Sequence, residues 1–99
     1  MPPLVRLRIE VNGKTVGIRQ LDKPVLTVGR LASNAVQVPS QRVSRFHARI
    51  RSTNGSWLIE DTESLNGIAY QGRRVDQHIL SSGDRISLAP DSSLYFEAV

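Results

Sequence analysis

Val5-Arg6-Leu7-Arg8-Ile9-Glu10-Val11, followed at once by Asn12-Gly13, is the stretch that decides the fold class. Its apolar residues occupy every second position and its charged residues the positions between. That is the period of a half-buried strand, whose side chains point alternately to core and solvent. Asn12-Gly13 closes the stretch with a dipeptide that accepts positive φ at both positions, as a tight two-residue hairpin requires. The spacing therefore predicts a returning strand from about Lys14 to Leu21, broken by Lys23-Pro24.

The same pattern continues outward. Val25–Val28 is a short apolar strand that ends at Gly29-Arg30, and Val36–Val38 is stopped by Pro39. Ala48, Ile50 and Ser52 face one way and Arg49 and Arg51 the other, before Asn54-Gly55 turns the chain into Trp57–Glu60. Ile68–Tyr70 and Arg73–Val75 flank a turn at Gln71-Gly72. Arg85–Leu88 follows Ser82-Gly83-Asp84, and Leu94–Ala98 follows Pro90-Asp91. No run of about ten or more residues carries helical spacing. Turn signals recur about every ten residues, which predicts an all-β sandwich or barrel. Two regions are too polar and too long for tight turns: Arg30–Asn34 with Pro39–Arg45, and Asp61–Gly67. Loops carried on a rigid β scaffold are where binding residues concentrate.

Composition narrows the function classes. The 99 residues suffice for one domain, expected to span 1–99 with a core over about 4–98. Only 5% of residues are aromatic, so the core must be built from Val, Ile and Leu. Absence of cysteine excludes a disulfide framework and a thiolate zinc site, and fits a reducing, cytoplasmic setting. No apolar run approaches the roughly 18–20 residues of a membrane span. Met1-Pro2-Pro3-Leu4 lacks the basic and apolar regions of a signal peptide. Net charge is +4, and 13 residues are basic, of which only Lys14 and Lys23 are lysines. Arginine presents a planar fork of donors that matches carboxylate and phosphate, so the expected partner is anionic.

Three short motifs stand in order on this all-β frame: Gly29-Arg30 at a strand end, Ser44-Arg45-Phe46-His47 opening a strand, and Asn66-Gly67 in a loop. Val43 and Ala48 flank the second. Gly72-Arg73-Arg74-Val75 and Gly83-Asp84-Arg85-Ile86 follow. Together they resemble the forkhead-associated (FHA) family from about Leu4 to the C-terminus. The resemblance implies a β-sandwich of about eleven short, mostly antiparallel strands with binding loops at one end. It also implies recognition of a phosphothreonine peptide in Ser/Thr kinase signalling, without cofactor, metal or catalysis. Carried over, Arg30 and Ser44 would contact the phosphate with help from Arg45. Asn66 would hold the peptide backbone, with Ser64 and Leu65 beside it. Gly29, His47 and Gly67 would be architectural. The implied partner is a phosphorylated protein, or a tail of the same polypeptide, met in the cytoplasm or on the cytoplasmic side of a larger membrane protein.

The chemistry of these residues suits the implied roles. Phosphothreonine carries close to two negative charges and three acceptor oxygens. Arg30 can donate two parallel hydrogen bonds, and Ser44 can donate its hydroxyl. Asn66 has a donor and an acceptor for a peptide's C=O and N–H, and it would also tolerate positive φ before Gly67. Ser44, His47 and Asp61 or Asp84 do not form a hydrolase pattern, because the sharp turn around a nucleophilic serine is missing. His47 and His78 are the only imidazoles and have no metal-ligand spacing. Nucleic acid is disfavoured by the few aromatic residues and the lack of a groove-reading helix. The sequence departs from the family where a hydroxyl residue commonly precedes the Asn, here Leu65. It departs again at Ile68 and Gln71, where Thr and Asn are common. These changes bear on peptide selectivity, and they keep open a domain of the same fold that binds or oligomerises without phosphate.

Overall fold

The computed structural model describes residues 5–98, so Met1-Pro2-Pro3-Leu4 and Val99 lie outside it. Two sheets pack face to face. One runs in the order β2-β1-β11-β10-β7-β8, the other β4-β3-β5-β6-β9. The strands are β1 Val5–Val11, β2 Lys14–Gln20, β3 Val25–Gly29, β4 Val36–Gln37, β5 Ala48–Thr53 and β6 Ser56–Asp61. They continue with β7 Ile68–Tyr70, β8 Arg73–Val75, β9 Gln77–Ile79, β10 Arg85–Ala89 and β11 Ser92–Ala98. All recorded pairings are antiparallel except β3 with β4. No helix forms among the described residues. The expected FHA-type β-sandwich is the observed architecture.

Alternation is realised in β1, where Val5, Leu7, Ile9 and Val11 are buried and Arg6, Arg8 and Glu10 face outward. Leu26 and Val28 of β3, Ile50 of β5, Ile59 of β6, Ile86 of β10 and Leu94 of β11 meet them between the sheets. The hairpin dipeptides adopt positive φ at both positions: 52° and 77° at Asn12-Gly13, 50° and 80° at Asn54-Gly55, 51° and 78° at Gln71-Gly72. Such turns match the right-handed strand twist and join β5–β6 and β7–β8 in register, while β1–β2 pairs with a shift of register between Ile9 and Glu10. One strand has no counterpart in the sequence pattern. β9, Gln77–Ile79, is a polar three-residue edge strand that pairs with β6 through its backbone.

A small polar cluster ties β7, β9 and the turn before β10 together. Tyr70 stacks on His78 with ring centroids 4.0 Å apart. The Tyr70 hydroxyl donates to Asp84 at 3.2 Å, His78 Nε2 lies 2.8 Å from Asp84, and the Ser81 N–H donates to it at 2.8 Å. Burial opposes ionisation of Asp84, but the hydrogen bonds from His78, Ser81 and Tyr70 outweigh it and hold the carboxyl below its ordinary value. A carboxyl depressed in the folded state contributes stability above its unfolded pKa, and that contribution is lost as pH falls through the folded pKa. Asp84→Asn should therefore destabilise the domain in urea titrations at pH 7. The gap to the unsubstituted protein should close as pH drops below the ordinary value of 3.8. A gap of constant size would mean that the charge is not what holds the cluster.

Two facts of topology place the loops. Val28 of β3 opposes Ala48, the first residue of β5, and Ala48 opposes Asp61, the last residue of β6. The end of β3, the start of β5 and the end of β6 therefore share one end of the sandwich. The loops that leave them carry all three sequence motifs.

Candidate functional site

Gly29 ends β3 in a place where only glycine fits. A methyl group built on it would collide with the backbone carbonyl of Arg45 and come within 2.8 Å of Asn34 Nδ2. That close approach lets the β3–β4 loop lie directly against the β4–β5 loop. Arg30 N–H donates to the Ser44 carbonyl at 3.0 Å, and Asn34 Nδ2 donates to the Arg45 carbonyl at 2.8 Å. The Arg30 side chain joins the same seam, with Nε donating to the Val43 carbonyl at 3.0 Å. This leaves both Nη groups of its guanidinium uncommitted among the described residues.

His47 fastens the β4–β5 loop to the β6–β7 loop. It is fully buried. Its Nδ1 accepts from the Ser44 N–H at 3.1 Å, so Nε2 carries the hydrogen and donates to the Gly67 carbonyl at 2.7 Å. Its own carbonyl accepts from the Thr62 N–H at 3.1 Å. Both ring nitrogens are thus occupied in joining the serine loop to the loop before β7.

Ser44 Oγ accepts a hydrogen bond from the Leu65 N–H at 3.1 Å. Among the described residues no acceptor takes its hydroxyl hydrogen. Asn66 Nδ2 donates to the Arg42 carbonyl at 2.7 Å, which orients the amide and leaves Oδ1 and a second N–H for a ligand. The positive φ considered for Asn66 falls instead on its neighbours, Glu63 at 61° and Gly67 at 73°. Gly67 is crowded as well. A methyl there would fall 2.7 Å from Arg74 Cζ and closer still to Nε.

Ser64 is a correction. It was expected beside the peptide, but it is buried and its hydroxyl is used inside the loop. It donates to Asp61 Oδ1 and accepts from the Gly67 N–H at 2.8 Å. Its place is to shape the turn that presents Asn66. Leu65, one residue on, is the opposite case, with 86% of its surface exposed.

Arg30, Gln41, Arg42, Val43, Ser44, Arg45, Phe46 and Leu65 line a recess of about 370 Å³ at this end of the sandwich. The structure thus brings together Arg30, Ser44, Arg45 and Leu65, and holds Asn66 at the margin. Three of the eight lining residues are arginines and none is acidic. That balance is local. On the sheet faces, Arg6, Arg8, Arg19, Arg49 and Arg51 each have a carboxylate within 4.0 Å. Arg30, Arg42 and Arg45 have none among the described residues, and neither do Arg73 and Arg74 of β8 or Arg85 of β10. The carboxylate facing Arg42 from outside the recess is Asp91. A hydrogen bond from Ser40, ahead of the opposing effect of burial, helps hold it below the ordinary range.

Sequence reasoning missed three contributors. Phe46 would read as a core aromatic beside a strand, yet it is 57% exposed and forms a wall of the recess. Arg42 was one basic residue among many, and only its place two positions before Ser44 could have marked it. Asn34 is buried and clamps the two loops, a role no local pattern announces.

Comparison with known proteins places this geometry. The oxoglutarate dehydrogenase inhibitor of Corynebacterium diphtheriae is 33% identical over 87 residues, which cover 87% of this chain and 61% of that protein. The chain thus spans less than two thirds of that relative's length. A Synechocystis protein of known structure superimposes with a TM-score of 0.90 at 27% identity, over 98% of this chain and 97% of the other. A structure from work on phosphothreonine-dependent FHA domain interactions gives 0.85 at 27% identity, covering 97% of both chains. The FHA domain family model matches residues 26–89, the span that holds the whole recess, and the chain belongs to the FHA domain family.

Proposed function

We propose that the protein is a phosphothreonine-peptide recognition module that docks a phosphorylated partner in Ser/Thr kinase signalling. The observation that carries this reading is the recess with three arginines, no acid and a serine hydroxyl whose hydrogen is free. A dianionic phosphate fits such a site, since Arg30 can offer its two Nη groups, Ser44 its hydroxyl, and Arg42 and Arg45 flanking charge. Asn66, already oriented by Arg42, would hold the peptide backbone beside the phosphothreonine, and Leu65 and Phe46 would present apolar surface to its neighbours. Gly29, His47, Ser64 and Gly67 would serve by holding the loops. Because these contacts are preformed, little ordering cost is left for binding. The related structure tied to phosphothreonine-dependent interactions supports the same reading.

The test is calorimetric titration with a peptide pool of degenerate flanks carrying phosphothreonine, phosphoserine or plain threonine. Binding should be confined to the phosphorylated pools and strongest for phosphothreonine. Its γ-methyl adds about 0.8 kcal/mol if buried, roughly a fourfold gain. Equal binding to all three pools would instead indicate a domain that engages partners without phosphate.

A further inference from the structure

We propose that β2 is a docking edge through which two copies of this chain pair, strand against strand, into a two-fold dimer. A strand at the rim of a sheet leaves half of its backbone N–H and C=O groups without a partner. β2 is such a rim, since β1 flanks it on one side and no strand flanks it on the other among the described residues. It also differs from the other rims. β4, β8 and β9 run for two or three residues, whereas β2 runs for seven. Two of the few large apolar side chains left in solvent stand on it, Val16 at 49% and Ile18 at 59% exposed.

The backbone calls for an extended strand as occupant, and the side chains call for β2 of a second copy. A two-fold axis through Ile18 sets Ile18 against its own copy, on the outward face of the sheet where it stands beside Arg8. In that register Arg19 faces Gly17, which has no side chain to oppose it, and Val16 faces Gln20. Further out, Lys14 meets Asp22, a half-exposed carboxylate 3.5 Å from Arg19. No like charges stand opposite one another, and each cation of the rim is matched with an acid or with space.

The same strand is guarded against indiscriminate pairing. Val16 is the extra residue of a bulge, lying between Thr15, opposite Glu10, and Gly17, opposite Ile9. Bulges and rim lysines are the usual means by which sheet edges discourage unrelated strands. Gly17 to Gln20, the centre of the two-fold register, lies past the bulge in regular pairing with β1. One strand per copy covers less than the roughly 1,200 Å² at which stable interfaces begin, so the dimer is weak. The recess stays open in it. The β1–β2 turn lies at the recess end of the sandwich, where the Asn12 N–H donates to the Asp91 carbonyl at 2.8 Å and the Asp91 carboxylate accepts from Ser40 at 2.7 Å. Antiparallel pairing of β2 therefore sends the two recesses to opposite ends of the dimer, which would join two separate phosphorylated chains. That consequence, unlike the pairing itself, rests on the phosphopeptide reading.

The test is sedimentation equilibrium of the 99-residue chain over rising concentration, beside calorimetry with phosphothreonine peptide. A monomer–dimer equilibrium with a Kd of about 0.1–1 mM is expected. Ile18→Lys sets like charges together on the axis and should weaken the dimer about tenfold or more. Peptide binding should stay as it was in that variant, since Ile18 is exposed and outside the recess. Lys14→Glu and Asp22→Lys should each weaken the dimer, and the two together should restore it. A chain that stays monomeric up to about 1 mM, a dimer that Ile18→Lys leaves intact, or charge reversals that fail to restore it would overturn the pairing. Dimerisation without any peptide binding would instead overturn the reading of the recess and leave the pairing standing.

Discussion

Arg30→Ala should all but abolish phosphopeptide binding while leaving the domain folded. Its Nε is held by the Val43 carbonyl, which fixes the guanidinium plane and directs the remaining donors at the recess. Truncating one partner of a desolvated charged pair costs about 2–5 kcal/mol, because the other charge is left without its counterpart. In affinity that is a loss of roughly 30-fold to a few thousandfold. Arg30→Lys should fall between, since it restores charge but not the paired donors. The fold depends little on the substitution. Arg30 is half-buried and contributes no apolar surface to the space between the sheets, so the thermal midpoint should move by only a few degrees. Titration calorimetry beside a thermal melt separates the two effects. A loss too small for calorimetry to resolve would remove Arg30 from the phosphate site.

His47→Leu is the substitution expected to cost the most stability. Leucine is similar in bulk, so the change isolates the ring nitrogens. It orphans the Ser44 N–H and the Gly67 carbonyl, and an unsatisfied buried polar group costs about 1–3 kcal/mol. Two of them imply roughly 2–6 kcal/mol, a large share of the 5–15 kcal/mol typical of a domain. Urea denaturation should show a lower midpoint with an unchanged slope. Binding should also weaken at temperatures where the variant is still folded, because the serine loop and the asparagine loop are joined through this ring. A variant of unchanged stability would show that the two bonds hold nothing together.

How much of this could be read from the sequence depended on how far each residue's role was local. β1 was legible because alternation and burial are the same fact in a strand with one face on the core. The turns at Asn12-Gly13, Asn54-Gly55 and Gln71-Gly72 were legible because positive φ restricts residue choice within two positions. β9 was not, because Gln77-His78-Ile79 is held by backbone pairing at a sheet edge and shows no buried face. Arg30, Ser44, Asn66 and His47 could be nominated because they stand in motifs of fixed order. What the sequence could not supply was which hydroxyl is already spent. Ser44 and Ser64 look alike on paper, yet the first keeps its hydrogen free and the second gives its own to Asp61.

The hydrogen bond from the Gly67 N–H to Ser64 also bears on how the protein ages. In an Asn-Gly pair, the glycine nitrogen can attack the asparagine side-chain carbonyl, expel ammonia and close a succinimide that opens to aspartate or isoaspartate. At position 66 that change would set a negative charge beside the phosphate site. There the attacking nitrogen is tied to Ser64 Oγ at 2.8 Å and the leaving amide nitrogen to the Arg42 carbonyl at 2.7 Å. Asn12-Gly13 and Asn54-Gly55, by contrast, sit at exposed hairpin tips. Chemical wear is thus directed first to hairpin tips that lie outside the recess, and the asparagine that would meet the ligand is kept for last.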